Sequence, residues 1–190
     1  MLLFRNVHQT KEDIVKNDKY SKRELLGWLC LWGLIATLLT TEDAEAREPL
    51  QVPIFNDVAH AKDLSTLELL TANLYHEARN QPDIANFIIM AVVERRKELG
   101  GRYGNTYEEV VLKPSAFSWT FDGLSDRMYE TQQYHRLYEI TERFLANKQV
   151  YMELAQGADH YVKVGHTTNW DYSKLVFLFQ VGDHLFYKHK

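Results

Sequence analysis

Fifteen consecutive residues, Leu25 to Leu39, carry no charge, and no other stretch of the 190-residue chain is comparably apolar. A stable membrane-spanning helix needs about 20 such residues, and Gly27, Gly33, Ala36 and Thr37 dilute this run further. Its flanks differ in sign: Lys16, Lys19, Lys22 and Arg23 precede it, and Glu42, Asp43, Glu45 and Glu48 follow. Positive charge is retained on the cytoplasmic side, so this asymmetry predicts an N-terminal tail inside and an exported main domain. The chain divides accordingly into a cytoplasmic tail (1–24), an apolar signal-peptide or signal-anchor helix (25–40), a linker (41–63) and a main domain (64–190). Ala44-Glu45-Ala46 has the small-x-small pattern that precedes a signal cleavage. A leader of 24 residues before the run is long for a signal peptide, and the short, Gly-containing run also fits an uncleaved anchor, so both readings stay open. A buried core helix is the third reading of a run of roughly 10–15 apolar residues.

A net charge of -4 gives no general attraction to phosphate backbones, which argues against nucleic acid as a partner. Cys30 is the single cysteine, so an internal disulfide, a thiolate zinc cluster and an iron–sulfur site are excluded. Aromatic residues make up 13% of the chain, which suits stacking on sugar rings and core packing equally.

The main domain opens on Ser65-Thr66-Leu67-Glu68, the pattern of a capping box. The helix it starts runs to about Arg79, where Asn80-Gln81-Pro82 stops it. Leu67, Leu70 and Leu74 form its apolar stripe, and the next member of the series is Glu77. A carboxyl placed where the pattern calls for a core residue is pushed toward its protonated form by desolvation and by the helix C-terminus. A protonated carboxyl near neutral pH is what a general acid requires. The alternative is a Glu77 paired with Arg79 or a nearby cation, or bent into solvent at the last turn. His76-Glu77 fails as a zinc-protease motif because position 80 is Asn, not His. No metal and no cofactor are expected.

Further along, Pro82 to Gly100 spans a second helix with Ile84, Phe87, Ile88, Ala91, Val92, Arg95 and Leu99 on one face. Thr106 caps a short helix, Tyr107 to Leu112, and Ser125 caps a long one to about Asn147. Strands are expected at 160–164, 175–181 and 184–187, the last two joined by the turn Gly182-Asp183. The fold class is therefore α+β, helices first and a small antiparallel sheet at the end.

Four stretches then occur in order: Tyr75-His76-Glu77-Ala78-Arg79, Phe117-Ser118-Trp119-Thr120, Gly157-Ala158-Asp159-His160-Tyr161 and Gly182-Asp183-His184-Leu185-Phe186-Tyr187. Together they resemble the catalytic domain of the SleB/CwlJ family of cell-wall hydrolases, which also occur as phage endolysins. The resemblance implies a mainly helical, lysozyme-like domain over 64–190 that cleaves the glycan strands of peptidoglycan as a lytic transglycosylase, leaving 1,6-anhydro ends. It implies Glu77 as the catalytic acid, with Ser118, Trp119, Asp122, His160 and Tyr161 as substrate-binding residues. Ser118 and Trp119 would line the sugar groove, and His184 would hold the hairpin by hydrogen bonds. Asp122 would become a second carboxylate if the enzyme hydrolyses, although Asp-Gly is more often a turn. The partners implied are peptidoglycan and, through the apolar helix, the inner membrane, with the domain in the periplasm or at the wall. Asn80, Asp159 and Asp183 depart from the family pattern. The residues alone leave open an amidase, a hydrolysing muramidase, a non-catalytic membrane-tethered wall-binding protein and a phage lysis-control protein.

Overall fold

The computed structural model describes residues 50–190 apart from residue 56. The apolar run 25–39, its charged flanks and the candidate cleavage site lie outside the described residues. Among the described residues, no helix is long and apolar enough to cross a membrane.

The described chain is α+β. Five α-helices come first: α1 (Thr66–Ala78), α2 (Asp83–Leu99), α3 (Tyr107–Val111), α4 (Thr131–Ala146) and α5 (Lys148–Leu154). A three-stranded antiparallel sheet follows, made of β1 (His160–Lys163), β2 (Leu175–Val181) and β3 (His184–His189) in the order β1-β3-β2. The capping box at α1 forms as its pattern requires. Glu68 N–H donates to the Ser65 hydroxyl, while Ser65 N–H donates to Glu68 Oε2 at 2.8 Å.

α2 is the central element. Ala85, Ile89, Met90 and Val93 are buried beside Phe87, Ile88, Ala91 and Val92. A single apolar face is thus too narrow a description, because neighbours cover most of its circumference. Ile84 and Leu99, expected on the core face, lie at the two ends and are exposed. The charges α2 buries are partnered: Glu94 accepts from the Tyr107 hydroxyl and pairs with Lys97 at 2.9 Å, and Arg96 Nε donates to the Asp159 carbonyl at 2.8 Å. Burial without partners would cost several kcal/mol per ion. Each large apolar side chain buried here contributes roughly 1.5–3 kcal/mol.

Three boundaries differ from the sequence-based expectation. The stretch expected as linker up to residue 63 joins the folded body from residue 50. Phe55 and Ala61 are buried in the core, and the His135 ring hydrogen-bonds the Leu50 carbonyl at 2.9 Å. The long helix begins at Thr131, not after Ser125. The Tyr75 hydroxyl accepts from Tyr129 N–H (3.1 Å) and Glu130 N–H (3.0 Å), and Asp126 and Met128 are buried, so residues 125–130 are held by tertiary contacts outside any helix. Finally, α5 has no buried stripe to announce it. It is held through Tyr151, which stacks on Phe87 at 4.0 Å and lies against Phe144 at 5.8 Å.

Besides the contacts of Tyr161, two polar ties fix the sheet to the helices. Arg96 ties α2 to the residue before β1. The Gln81 side chain accepts from Asp183 N–H at 2.9 Å and donates to Asp183 Oδ2 at 3.1 Å, clamping the α1–α2 connection to the β2–β3 turn. Gly182 is required there: its φ is +55°, and an added Cβ would lie 2.3 Å from Gln81 Oε1.

Candidate active site

Glu77 stands in the last turn of α1, directly below Leu70 and Leu74, which are buried. Its Oε2 accepts a hydrogen bond from the Tyr161 hydroxyl of β1 at 2.9 Å. Its Oε1 is buried and has no hydrogen-bond partner. Arg79, the sequence-adjacent candidate for an ion pair, is engaged elsewhere, with Glu130 at 3.1 Å. The pairing of Glu77 with Arg79 is thereby removed.

Burial drives the Glu77 carboxyl above the usual range, and it outweighs the Tyr161 hydrogen bond, the Arg96 charge and Ser118, which act the other way. The site thus holds a largely desolvated carboxyl with one oxygen fixed and the other without a partner. Ser118 and Tyr161, both expected at the site, are brought to Glu77 by folding. They come from the 3-10 turn Ser118–Thr120 and from β1.

A cleft of about 400 Å³ opens over this carboxyl, lined by Glu77, Ser118, Tyr161, Thr168, Trp170 and His184 among others. Among the described residues, Glu77 is the only carboxylate in its walls. Both buried imidazoles beside it are neutral at physiological pH. Burial lowers the pKa of His76 to about 4 and also depresses that of His184.

Other expected site residues fall differently. Trp119 is 4% exposed, donates its indole N–H to Asn73 Oδ1 at 2.9 Å and stacks on His76 at 5.0 Å. It packs the core and does not line the cleft; on a 3-10 turn, neighbours in sequence point about 120° apart, so Trp119 faces away from the side that Ser118 presents. Asp122 is exposed and outside the cleft walls, and its Oδ1 accepts from Leu124 N–H at 2.8 Å, closing a turn. His184 makes no hairpin hydrogen bond through Nδ1, which is buried without a partner; its ring meets Tyr161 edge-on at 5.4 Å instead. His160 lines an adjoining cavity of about 510 Å³ that shares Arg96, Ala116 and Trp170 with the cleft.

Arg96 and Trp170 were not singled out from sequence as site residues. Arg96 is camouflaged in the basic run Arg95-Arg96-Lys97, and only the helical phase, which turns it inward, distinguishes it. Trp170 lies in an aperiodic loop where no pattern signals burial or exposure.

Among the described residues, Asp159, His160 and His189 offer three possible ligand atoms within 4.8 Å of one another. They already hydrogen-bond one another, Asp159 Oδ1 to His160 Nδ1 at 2.7 Å and Asp159 Oδ2 to His189 Nδ1 at 3.0 Å. A guanidinium nitrogen of Arg102 also stands 3.0 Å from His189 Nε2. A cation already occupies the approach to that imidazole, so the trio is a hydrogen-bonded network bracing β3 against β1.

Comparison with known proteins adds three findings. No curated protein matches the chain significantly. Among solved structures, the chain is similar to the catalytic domain of the Bacillus cereus SleB protein, at 19% identity over 65% of this chain and 89% of that one, with a TM-score of 0.49. The family model described as Cell Wall Hydrolase matches residues 80–187, more than half of the chain, beginning three residues after Glu77. This chain therefore belongs to the cell wall hydrolase family, whose members degrade peptidoglycan.

Proposed function

We propose that the protein cleaves the glycan strands of peptidoglycan as a lytic transglycosylase, with Glu77 as its one acid–base group. The observation that carries this reading is a largely desolvated carboxyl, raised in pKa and with Oε1 unpartnered, in a cleft whose walls hold no second carboxylate among the described residues. Glycosidases that hydrolyse usually employ two carboxyl groups, one as acid and one to activate water or attack the sugar. An internal nucleophile removes the need for the second.

Tyr161 donates to Oε2, so the acidic proton is assigned to Oε1, the oxygen without a hydrogen-bond partner. Glu77 gives that proton to the bridging oxygen as the bond to muramic C1 breaks. The muramic C6 hydroxyl then attacks C1, and its proton returns to Glu77. No water is consumed, and the products are a new free hydroxyl end and a 1,6-anhydro end. The Arg96 charge steadies the carboxylate between the two transfers. Ser118 and Tyr161 position substrate and acid, while His160 borders the adjoining stretch of groove. The charge asymmetry around residues 25–39 supports an exported domain tethered at the inner membrane.

Digestion of purified peptidoglycan by the full chain, wild type beside Glu77→Gln, tests the reaction. Anhydro-muropeptides from the wild type and none from the variant are expected by mass spectrometry. Reducing-end products would replace the reading with a hydrolysing muramidase, and released stem peptides with an amidase. Membrane fractionation of the full chain and of a chain lacking residues 25–39 tests the tether; equal recovery in the soluble fraction would refute it.

A further inference from the structure

The catalytic cleft is the first of three cavities with shared walls. It meets the 510 Å³ cavity at Arg96, Ala116 and Trp170, and that cavity meets a third, of about 600 Å³, at Arg102 and Tyr103. The third cavity is basic, as is the second, which Arg96, Arg102 and Lys113 line without a carboxylate among the described residues. Arg95, Arg102, Lys188 and Lys190 line the third, against one carboxylate, Asp159. That carboxylate is already engaged by His160 and His189. Arg95 pairs with Glu98 at 3.3 Å and the Lys190 ammonium donates to the Ser173 carbonyl, but Lys188 has no ion-pair partner among the described residues, and Arg102 donates only to Tyr103 and His189. A concentration of cations in a chain of net charge -4 is not a by-product of composition. Beside the cations, Leu99 contributes an apolar side chain that is 45% exposed.

We propose that this third cavity is a subsite for the carboxylates of a peptide stem carried by the glycan strand. Guanidinium and ammonium groups together recognise carboxylates by charge-assisted hydrogen bonds. The exposed Leu99 favours a ligand with a small apolar portion, such as an alanyl residue, over a bare phosphate. The glycan backbone would lie in the first cavity, and a stem hanging from a neighbouring sugar would follow the shared walls to the basic end. The identity of the polymer rests on the glycan-cleavage reading of Glu77; the charge-based recognition of an acidic peptide does not.

Calorimetry on the full chain tests the subsite with the stem dipeptide alanyl-glutamate, its carboxylates free or amidated, and with inorganic phosphate as a third probe. Wild type is expected to bind the free acid, more weakly as salt is raised. It should bind the amidated form and phosphate poorly. Arg102→Gln combined with Lys188→Gln should weaken binding about tenfold while circular dichroism stays unchanged. Equal affinity for phosphate, equal affinity in the double variant or no binding of the dipeptide overturns the proposal. In parallel, the double variant should lose only the rate advantage that intact peptidoglycan holds over strands stripped of their stems. Cleavage of both polymers without dipeptide binding refutes the subsite alone. Dipeptide binding without cleavage of either polymer refutes the glycan-cleavage reading and leaves the subsite standing.

Discussion

The Tyr161 hydroxyl donates to Glu77 Oε2 at 2.9 Å, joining the last turn of α1 to the first strand of the sheet across 84 positions of sequence. One side chain thereby orients the carboxyl and selects which oxygen keeps the proton. It also moderates the pKa rise that burial imposes.

Tyr161→Phe keeps the ring and deletes that hydrogen bond, which holds the Glu77 pKa down. The Glu77 pKa rises further, so the acid stays protonated to higher pH. The alkaline limb of the pH–rate profile is expected to move upward, while the maximal rate falls on the order of tenfold through lost orientation. A limb that does not move would show that the hydroxyl has no bearing on the acid.

Glu77→Gln should lower glycan cleavage by roughly 10²–10⁴-fold, the usual contribution of a general acid–base group. The same variant should melt at higher temperature than the wild type at pH 7. The folded-state pKa lies above the ordinary 4.5, so the folded chain resists ionising Glu77 and loses stability as pH rises from 4.5 through the folded value. Gln is exempt from that loss. Calorimetric scans at pH 7 and pH 4 check the sign: the gain should shrink toward the acid end.

Trp119→Phe removes the indole N–H from buried Asn73 and should destabilise the fold by roughly 1–3 kcal/mol. Trp170→Ala, at the half-buried wall of the cleft, should leave the melting temperature nearly unchanged. If its ring stacks on sugar, KM rises roughly three- to tenfold. Thermal melts paired with steady-state kinetics separate the two tryptophans.

Asp126 is buried beside the cleft, and burial first, then the charges of Asp122 and Asp57, raise its pKa to about 6 from 3.8. The folded chain therefore keeps this proton up to about pH 6, whereas the unfolded chain releases it near 3.8, and stability declines as pH climbs through that window. Asp126→Asn should raise the melting temperature at pH 7 by on the order of a few degrees, with no gain below pH 3.8.

Local chemistry determined much of this protein in advance. The Ser65–Glu68 box, the Leu70-Leu74-Glu77 phase and the Gly182-Asp183 turn each act within a few residues, so the start of α1, the inward placement of Glu77 and the β2–β3 hairpin were legible from spacing alone. What spacing could not decide is which distant groups share the carboxyl's surroundings. Arg79 is the cation adjacent to Glu77 in sequence, yet packing sends it to Glu130, and the charge that acts on the acid is that of Arg96 from the next helix. Trp119 is the tryptophan expected in the groove, yet it fills the core against Asn73, while Trp170, which no sequence pattern marks, borders the cleft. Ser125 is a sound cap, yet the Tyr75 hydroxyl claims the backbone of Tyr129 and Glu130 and delays the helix to Thr131. Periodicity encodes which face of an element is buried; the partner against which it is buried depends on long-range packing, and that only the tertiary structure supplies.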